Sequence, residues 1–324
     1  MIERFRIKTI DNKKGDVFMK RARLIYNPSA GREQVKRQLP YILERLEKVG
    51  YETSAHATTG PGCATKAAKL AAERKFDLVI AAGGDGTINE VINGLAELPY
   101  RPKLGVIPAG TTNDFARAIE VPKSIETACD AICGGFEMPI DIGKVGDHYF
   151  INIAGGGTLT ELTYEVPSKL KTMIGQLAYY AKGIEKLPKI HPVKARIEYD
   201  GKLFEDEIML FLVSNTNSVG GFEKLAPQAS LNDGMFDLII LKKTNLADFV
   251  RLVSNAVRGE HINDPSVVYV QANRIKVYVA EEVVHLNLDG EYGGTLPGEF
   301  VNLRHHFQLF VPEKRFRKYE ELED

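Results

Sequence analysis

Residues 77–90 read DLVIAAGGDGTINE, an apolar run followed at once by a glycine-rich segment. The run at 77–82 predicts a buried strand, and the glycines after it predict a tight turn into a helix. Glycines let backbone N–H groups approach phosphate oxygens, and the N-terminus of a helix behind them favours negative charge. A carboxylate at Asp85 would repel a bare phosphate. We therefore interpret the loop as a site where a metal ion bridges Asp85 to a nucleotide.

A related motif follows the next predicted strand. Residues 103–107 read KLGVI, and residues 109–116 read AGTTNDFA. The pattern G-T-x-N-acid occurs at 86–90 and again at 110–114, and both copies are interpreted as helix capping boxes, in which the threonine caps the helix and the acid bonds back. Repeated strand–loop–helix units place their loops at one sheet edge, where α/β proteins bind ligands.

Composition indicates an ordinary globular protein with no global attraction to nucleic acid. The chain has 324 residues, 44% of them hydrophobic and 26% charged, and a formal net charge of −1. The three cysteines form no disulfide framework, so reduced packing residues are expected. The sequence contains no apolar run of the roughly 18–20 residues needed to span a bilayer. Residues 1–18 resemble no signal peptide, and we expect them to be an extension outside the fold.

The alternation of strands and helices predicts two domains. Residues 19–140 alternate in a βαβ pattern typical of a Rossmann-like α/β nucleotide-binding domain, which a last strand within about 303–324 would complete. Residues 141–302 consist mainly of short alternating runs, which favour an antiparallel β-sandwich. Asp200-Gly201 predicts a tight hairpin there. One amphipathic helix, Lys169–Leu187, is expected as an insertion.

Two loops in the second domain contain candidate carboxylates. Residues 285–294 read HLNLDGEYGG. An isolated Asp-Gly pair is more often only a turn, but here a second carboxylate follows it, and such a loop can hold a general base for phosphoryl transfer. Glu291 is the first candidate for that base and Asp289 the second. Residues 230–235 (SLNDGM) offer a carboxylate between backbone carbonyls, which suits Mg²⁺, although a type I turn is the stronger interpretation from these residues alone.

The motifs together resemble one known family. The segments GGDGTINEVINGL (83–95) and LGVIPAGTTNDFARA (104–118) are similar to the catalytic domain of diacylglycerol and sphingosine kinases, whose GGDGT loop also occurs in NAD kinases. Further similar segments lie across the chain, and the whole is most similar to the diacylglycerol kinases of Gram-positive bacteria. These segments are NPSAG (27–31), DIGKV (141–145), NSVGGFEKLAP (217–227), LNDGMFD (231–237) and LNLDGEYGG (286–294).

The resemblance implies a set of site residues. Asp85 and Asp114 would belong to the network of nucleotide and metal, and Glu291 would be the general base. A second, structural Mg²⁺ would bind Asp233 and the carbonyls of Ser230 and Met235, which reverses the turn-only interpretation of that loop. The implied nucleotide contacts are Asn27, Pro28, Ser29, Ala30, Gly31, Thr58, Gly84, Asp85, Gly86, Thr87, Ile88, Asn89, Glu90 and Thr111.

The resemblance also implies a function: phosphorylation of diacylglycerol to phosphatidic acid, with ATP as co-substrate and Mg²⁺ as cofactor. The alternatives are another lipid alcohol (a sphingosine-like lipid or phosphatidylglycerol) or NAD as acceptor, and a binding module without turnover. A cytoplasmic enzyme that acts on a lipid must contact the inner face of the membrane transiently. Arg32, Arg37 and Lys182 are candidates for attracting its anionic lipids. Exposed strand edges in the second domain could pair into a homodimer.

Overall fold

The computed structural model describes residues 19–157, 191–217, 224–280 and 282–323, and these form two compact units. One contains the described residues up to Met138 together with those from Phe307 onward, and the other runs from Pro139 to His306. The expected domain boundaries, 140/141 and about 302/303, lie close to these positions. The expectations for residues 1–18, for the helix Lys169–Leu187 and for Lys182 fall outside the described residues.

The described elements begin with alternating strands and helices and continue mainly with strands. In chain order they are β1 (Lys20–Tyr26), α1 (Gln34–Arg37), α2 (Leu39–Lys48), β2 (Tyr51–Ala57), α3 (Cys63–Glu73), β3 (Leu78–Gly83), α4 (Asp85–Leu95), β4 (Lys103–Pro108), α5 (Asp114–Ala118), α6 (Ile125–Cys133), β5 (Glu137–Val145), β6 (His148–Phe150), β7 (Ile153–Gly156), β8 (Val193–Tyr199), β9 (Lys202–Ser214), β10 (Phe236–Lys242), α7 (Leu246–Arg258), β11 (Val267–Ala272), β12 (Arg274–Val279), β13 (His285–Leu288), β14 (Glu291–Thr295), β15 (Gly298–Phe310) and α8 (Glu313–Glu323).

The first unit contains a parallel sheet in the order β2-β1-β3-β4, with the last residues of β15 beside β4. All six residues of β3 are buried, which matches an apolar strand covered on both faces. The alanines of α3 are small enough for this helix to pack closely, and five of them are buried. The α/β fold predicted for this part of the chain is confirmed.

The second unit contains mainly antiparallel strands, in the order β14-β13-β7-β9-β8-β12-β15, with β10 pairing β9 on one side and β11 on the other. Its core is aromatic. Phe150 stacks on Phe236 at 5.5 Å between ring centroids, and Phe211 meets Phe300 edge-on at 5.8 Å. Such pairs favour offset-stacked or edge-to-face geometry. The predicted antiparallel β-sandwich is confirmed.

Several local predictions can be compared with the structure directly. The Asp200-Gly201 hairpin is confirmed, because it joins β8 to β9 with both residues at positive φ. Residues 151–152 separate two short strands, since β6 ends at Phe150 and β7 begins at Ile153. The helix α7 and the strand β11 were not among the elements predicted from the sequence. None of the described helices has the length and apolar character required to cross a bilayer.

The cysteines of α6 are packing residues. Cys129 is buried, and this burial raises the pKa of its thiol to about 12. Burial also raises the pKa of Cys133. Since the thiolate is the reactive form, neither side chain has the electrostatic surroundings of a reactive cysteine.

Candidate active site

The loops that follow β1, β2, β3 and β4 meet at the carboxyl edge of the parallel sheet. The strand register aligns Tyr26 with Ala57 and with Ala82, and it aligns Gly83 with Pro108. The segments that begin at Asn27, Thr58, Gly84 and Ala109 therefore emerge side by side within the first unit. Thr58 donates its N–H to the carbonyl of Tyr26 at 2.9 Å, which fixes the start of its loop.

Two glycines in these loops are required by close packing. A Cβ atom on Gly83 would lie 2.5 Å from Oγ1 of Thr87, and one on Gly110 would lie 2.6 Å from Cα of Gly84. The loop after β3 and the loop after β4 are therefore in contact through backbone atoms. Gly86 differs, because a Cβ atom there would meet nothing within 4 Å. Of these glycines, Gly86 is the one with open space in front of it, where a ligand can approach.

Asp85 joins the loop after β3 to the loop after β4. It is the first residue of α4, and its Oδ1 accepts a hydrogen bond from the N–H of Phe115 in α5 at 3.2 Å. Its other carboxylate oxygen has no protein partner within the described part of the chain. The N–H groups of Asp85 and Gly86 likewise find no acceptor among the described residues, as expected in the first turn of a helix. Within the described residues, a carboxylate oxygen without a partner thus lies beside two amides without acceptors.

The capping boxes predicted for the two motifs are wrong. The N-cap of α4 is Gly84, and Thr87 lies inside the first turns with its N–H bonded to the Gly84 carbonyl at 3.0 Å. In the second motif the N-cap is Asn113, at φ 52°, and not Thr111, which is exposed. The buried Asn113 amide instead closes its own loop. Its Oδ1 accepts from the N–H of Gly110 at 2.7 Å, and its Nδ2 donates to the Gly110 carbonyl at 2.9 Å.

Asp114 is paired with a cation in the same helix. Arg117 approaches its carboxylate at 3.3 Å and also donates to the carbonyl of Thr112 at 2.9 Å. The Asp114 side chain is 14% exposed. Its charge is therefore already partly balanced, in contrast to that of Asp85.

Two residues of the first motif have structural roles that differ from those the resemblance implies. The carboxylate of Glu90 accepts from the N–H groups of Gly62 and Ala64, each at 2.9 Å, at the start of α3. It stabilises that helix N-terminus, where negative charge is favourable. Ile88 is buried, and its N–H bonds to the Gly84 carbonyl at 3.2 Å. These contacts explain both residues within the fold, and their nucleotide contacts stay a prediction. Asn89 is half-buried and accepts from Asn93 through its carbonyl at 3.0 Å.

The loop after β1 is shaped by its own side chains. Asn27 Oδ1 accepts from the N–H of Ser29 at 3.0 Å and from its hydroxyl at 2.8 Å. Gly31 has φ 55°, and a Cβ atom there would lie 3.1 Å from the carbonyl oxygen of Ala109. The loops after β1 and β4 are therefore neighbours. The other residues predicted for this loop, Pro28 and Ala30, lie between these positions, and the candidate membrane residues Arg32 and Arg37 follow and are exposed.

In the second unit, Glu291 begins β14 directly after a two-residue turn. Leu288 pairs with Glu291, so Asp289 and Gly290 form the turn of the β13–β14 hairpin. Glu291 is exposed, and its carboxylate has no partner among the described residues. The Asp289 carboxylate accepts from the N–H groups of three consecutive residues, Ile151 at 2.7 Å and Asn152 and Ile153 at 2.9 Å each. Because its lone pairs are used in this way, Asp289 is a poor second candidate for the base.

The segment Ser230–Met235 forms a turn that a buried carboxylate holds in place. Asp233 Oδ1 accepts from the N–H of Met235 at 2.9 Å. Asp141, which is fully buried, accepts from the N–H groups of Gly234 at 2.6 Å and His305 at 2.7 Å. Burial raises the pKa of Asp141, and the two amide hydrogen bonds oppose that effect. Sequence analysis missed Asp141 as a structural residue, although an acid between two isoleucines in an apolar strand was a signal.

The loop at Asp85 and the turn Ser230–Met235 both offer oxygen atoms that suit Mg²⁺. This ion prefers oxygen ligands and often combines one or two carboxylates with substrate phosphates. At Asp85 one carboxylate oxygen remains free beside unpaired amides. The Asp233 carboxylate accepts from the N–H of Met235, lies near the charge of Arg304 and has backbone carbonyls on either side. One of these carbonyls, that of Met235, already accepts from Asn302 Nδ2 at 3.2 Å. The described residues contain no cluster of three or more His, Cys, Asp or Glu side chains that could hold a metal.

Several known proteins are similar to this chain. Residues 21–145 match the diacylglycerol kinase catalytic domain, and residues 162–311 match the YegS C-terminal NAD kinase beta sandwich-like domain. The diacylglycerol kinase of Bacillus subtilis (strain 168) is 65% identical over 94% of this chain and 100% of its own length.

Solved structures are similar as well. A crystal structure of a diacylglycerol kinase from Bacillus anthracis str. Sterne has a TM-score of 0.76 and 30% identity, covering 92% of this chain and 99% of that one. An NAD kinase from Archaeoglobus fulgidus, at 14% identity and a TM-score of 0.53 over 93% of this chain and 97% of that one, shares the fold. With 65% identity to a relative over nearly all of both chains, this protein belongs to the diacylglycerol kinase family.

Proposed function

We propose that this protein transfers the terminal phosphoryl group of ATP to the hydroxyl of diacylglycerol, giving phosphatidic acid and ADP. Family membership supports the reaction class. The observation that carries the proposal is the placement of Asp85 at the carboxyl edge of a parallel sheet, where one carboxylate oxygen and two backbone amides have no partner among the residues that the structure describes. A nucleotide bound with a divalent cation needs that combination of charges.

The first unit would bind the polyphosphate. The amides of Asp85 and Gly86 point out of the first turn of α4, where the helix dipole favours negative charge. The loop from Asn27 to Gly31 and the residues Thr58 and Thr111 lie along the same edge and would bound the nucleotide. Asp85 would hold Mg²⁺, and the ion when bound would neutralise charge on the phosphoryl group being transferred. Asp114 would act indirectly, since Arg117 already balances its charge.

Glu291 would act as the general base. It must be able to accept the proton of the lipid hydroxyl, and an exposed carboxylate without a protein partner can do so. Loss of that proton makes the acceptor oxygen a better nucleophile, and such a base typically contributes about 10²–10⁴-fold to turnover. The turn at Ser230–Met235 would hold a second Mg²⁺ through Asp233 and the carbonyls of Ser230 and Met235, in a structural role.

A panel of acceptors tests the substrate. ADP release is measured with Mg²⁺ and ATP in mixed micelles of diacylglycerol, a sphingosine-like lipid or phosphatidylglycerol, and with NAD in solution. We expect the largest kcat/KM with diacylglycerol. Preference for another acceptor would overturn the substrate assignment, and binding of ATP without turnover on any acceptor would favour a binding module.

A single substitution tests the role of Asp85. Asp85→Asn keeps the size of the side chain and the acceptor for the Phe115 amide but removes the charge that would hold the ion. We expect turnover to fall by orders of magnitude and the Mg²⁺ concentration needed for half-maximal rate to rise. Asp147→Asn, at an exposed aspartate in the β5–β6 turn, is the control. A Mg²⁺ dependence unchanged from wild type would contradict the assignment.

Contact with a membrane and self-association belong to the same proposal. Arg32 and Arg37 are exposed and would attract anionic lipid at about 1 kcal/mol for each side chain near the surface. Binding to anionic vesicles should then weaken as salt rises, and salt-independent binding would count against it.

Among the described strands β11 and β14 lie at sheet edges, where a second copy could pair to form a homodimer. Sedimentation across a concentration series tests that pairing.

A further inference from the structure

We propose that Asp289 is a positioning residue for the reaction, which holds Glu291 in place by fixing the turn that precedes it. The inference rests on the proposed function of Glu291 and deepens it. Asp289 itself does not take the proton, because its carboxylate already accepts three backbone hydrogen bonds.

The three donors belong to the connection between β6 and β7. Oδ2 of Asp289 accepts from Ile151 at 2.7 Å, and Oδ1 accepts from Asn152 and Ile153 at 2.9 Å each. In the other direction, the N–H of Asp289 donates to the carbonyl of Ile153 at 2.9 Å. Four hydrogen bonds therefore join one turn residue to three consecutive residues. These four hydrogen bonds, called the clamp below, prevent Asp289 from rotating or sliding relative to the sheet.

The donor segment is itself held inside the core. Ile151 is fully buried, and its carbonyl accepts from Nδ2 of Asn215 at 3.0 Å. Asn215 is fully buried as well, and its own N–H donates to the carbonyl of Asn152 at 2.8 Å. The oxygen of the Asn152 side chain accepts from the hydroxyl of Thr216 at 3.2 Å. Asp289 is thus bonded to a rigid part of the fold, because each of its partners is fixed by further hydrogen bonds.

From Asp289 the constraint passes to Glu291 through the backbone. Gly290, at φ 96°, is the only residue between them, and its N–H donates to Oδ1 of Asn287 at 2.9 Å. On the far side, a Cβ atom on Gly293 would lie 2.2 Å from Cγ of Leu288, so β14 crosses very close to β13. The backbone of Glu291 is therefore held from both sides, although its side chain is exposed. For a general base, misplacement by about 1 Å can cost about 10²-fold in rate.

The substitution Asp289→Asn tests this role without removing the turn. In either orientation the asparagine amide places an NH₂ group against at least one of the three N–H donors, so the clamp loosens while the side chain keeps its size. We expect kcat on diacylglycerol to fall by about 10²-fold. The KM for ATP should stay within about twofold, because the nucleotide loops lie in the first unit. Asp200→Asn is the control, since Asp200 also precedes a glycine in a hairpin and accepts two backbone amides.

A double-mutant cycle with Glu291→Gln separates positioning from a general structural effect. If Asp289 acts through Glu291, adding Asp289→Asn to Glu291→Gln should lower kcat by no more than about threefold further, since coupled groups are not additive. An equal loss from Asp289→Asn in both backgrounds, or an equal loss from Asp200→Asn, overturns the positioning role alone. Wild-type kcat in Glu291→Gln overturns the base assignment and the positioning role with it.

Discussion

The second unit contains two Asp-Gly hairpins that share a geometry and differ in what surrounds them. Asp200-Gly201 joins β8 to β9, and Asp289-Gly290 joins β13 to β14, with all four residues at positive φ, as a type I′ turn requires. Asp200 accepts from the N–H groups of Asn273 at 3.0 Å and Arg274 at 3.1 Å, both exposed. Asp289 accepts from three backbone N–H groups, two of which belong to buried residues.

The difference between the hairpins lies in their settings. The residue after the first turn is Lys202, which is exposed and is not a candidate site residue. The residue after the second is Glu291, whose carboxylate has no partner in the described part of the chain. The Asp200-Gly201 turn therefore only connects two strands at the surface, whereas the Asp289-Gly290 turn also positions the proposed base, although the dipeptide is the same. An Asp-Gly pair by itself specifies the turn and nothing about its use.

Replacement of the residue after each turn should separate the hairpins most strongly. Glu291→Gln removes the proposed proton acceptor, so we expect kcat on diacylglycerol to fall by about 10²–10⁴-fold. Lys202→Gln changes the matching position in the other hairpin and should leave kcat within about twofold. Steady-state ADP release measures both. Equal kinetics for the two variants would mean that the hairpins do not differ in function.

Truncation of the two aspartates should separate the hairpins in stability. Asp289→Ala leaves three backbone N–H groups without their acceptor, two of them in buried residues, at a cost of about 2–5 kcal/mol. Asp200→Ala exposes its two amides to water and should cost about 1 kcal/mol. Thermal melting of both variants measures the difference. If Asp200→Ala lowers the melting temperature as much as Asp289→Ala does, burial of the donors is not the cause.

Replacement of the glycines should give the smallest difference in stability between the hairpins, because the cost should be alike in both. A Cβ atom on Gly201 or Gly290 would meet nothing within 4 Å, so each alanine substitution costs only the strain of a positive φ, about 1–2 kcal/mol. The two melting temperatures should fall by similar amounts. Turnover should fall in Gly290→Ala alone, because that backbone carries Glu291. A loss of turnover in Gly201→Ala would contradict the separation of roles.

The sequence predicted well those features that depend on neighbours along the chain. The strands and helices of the first unit follow from apolar runs punctuated by glycine, and the hairpin at Asp200-Gly201 follows from the turn preference of that dipeptide. The loops at one sheet edge followed from parallel connectivity. The capping-box predictions were wrong because the bonds involved depend on residues that are distant along the chain. Thr87 and Glu90 have the right spacing, but the Glu90 carboxylate bonds to the start of α3, whose residues lie 26 and 28 positions away.

By itself the sequence determined the fold class, the family motifs and the turns, because these rest on local conformational preferences and on the period of apolar residues. Tertiary structure alone decided which carboxylates are occupied and which are free. Asp289 meets Ile151 across 138 residues, and Asp85 meets Phe115 across 30. A carboxylate does not select its amide partner by spacing along the chain. Packing of the strands and helices brings the donors to it, and among the described residues it leaves the Glu291 carboxylate without a partner.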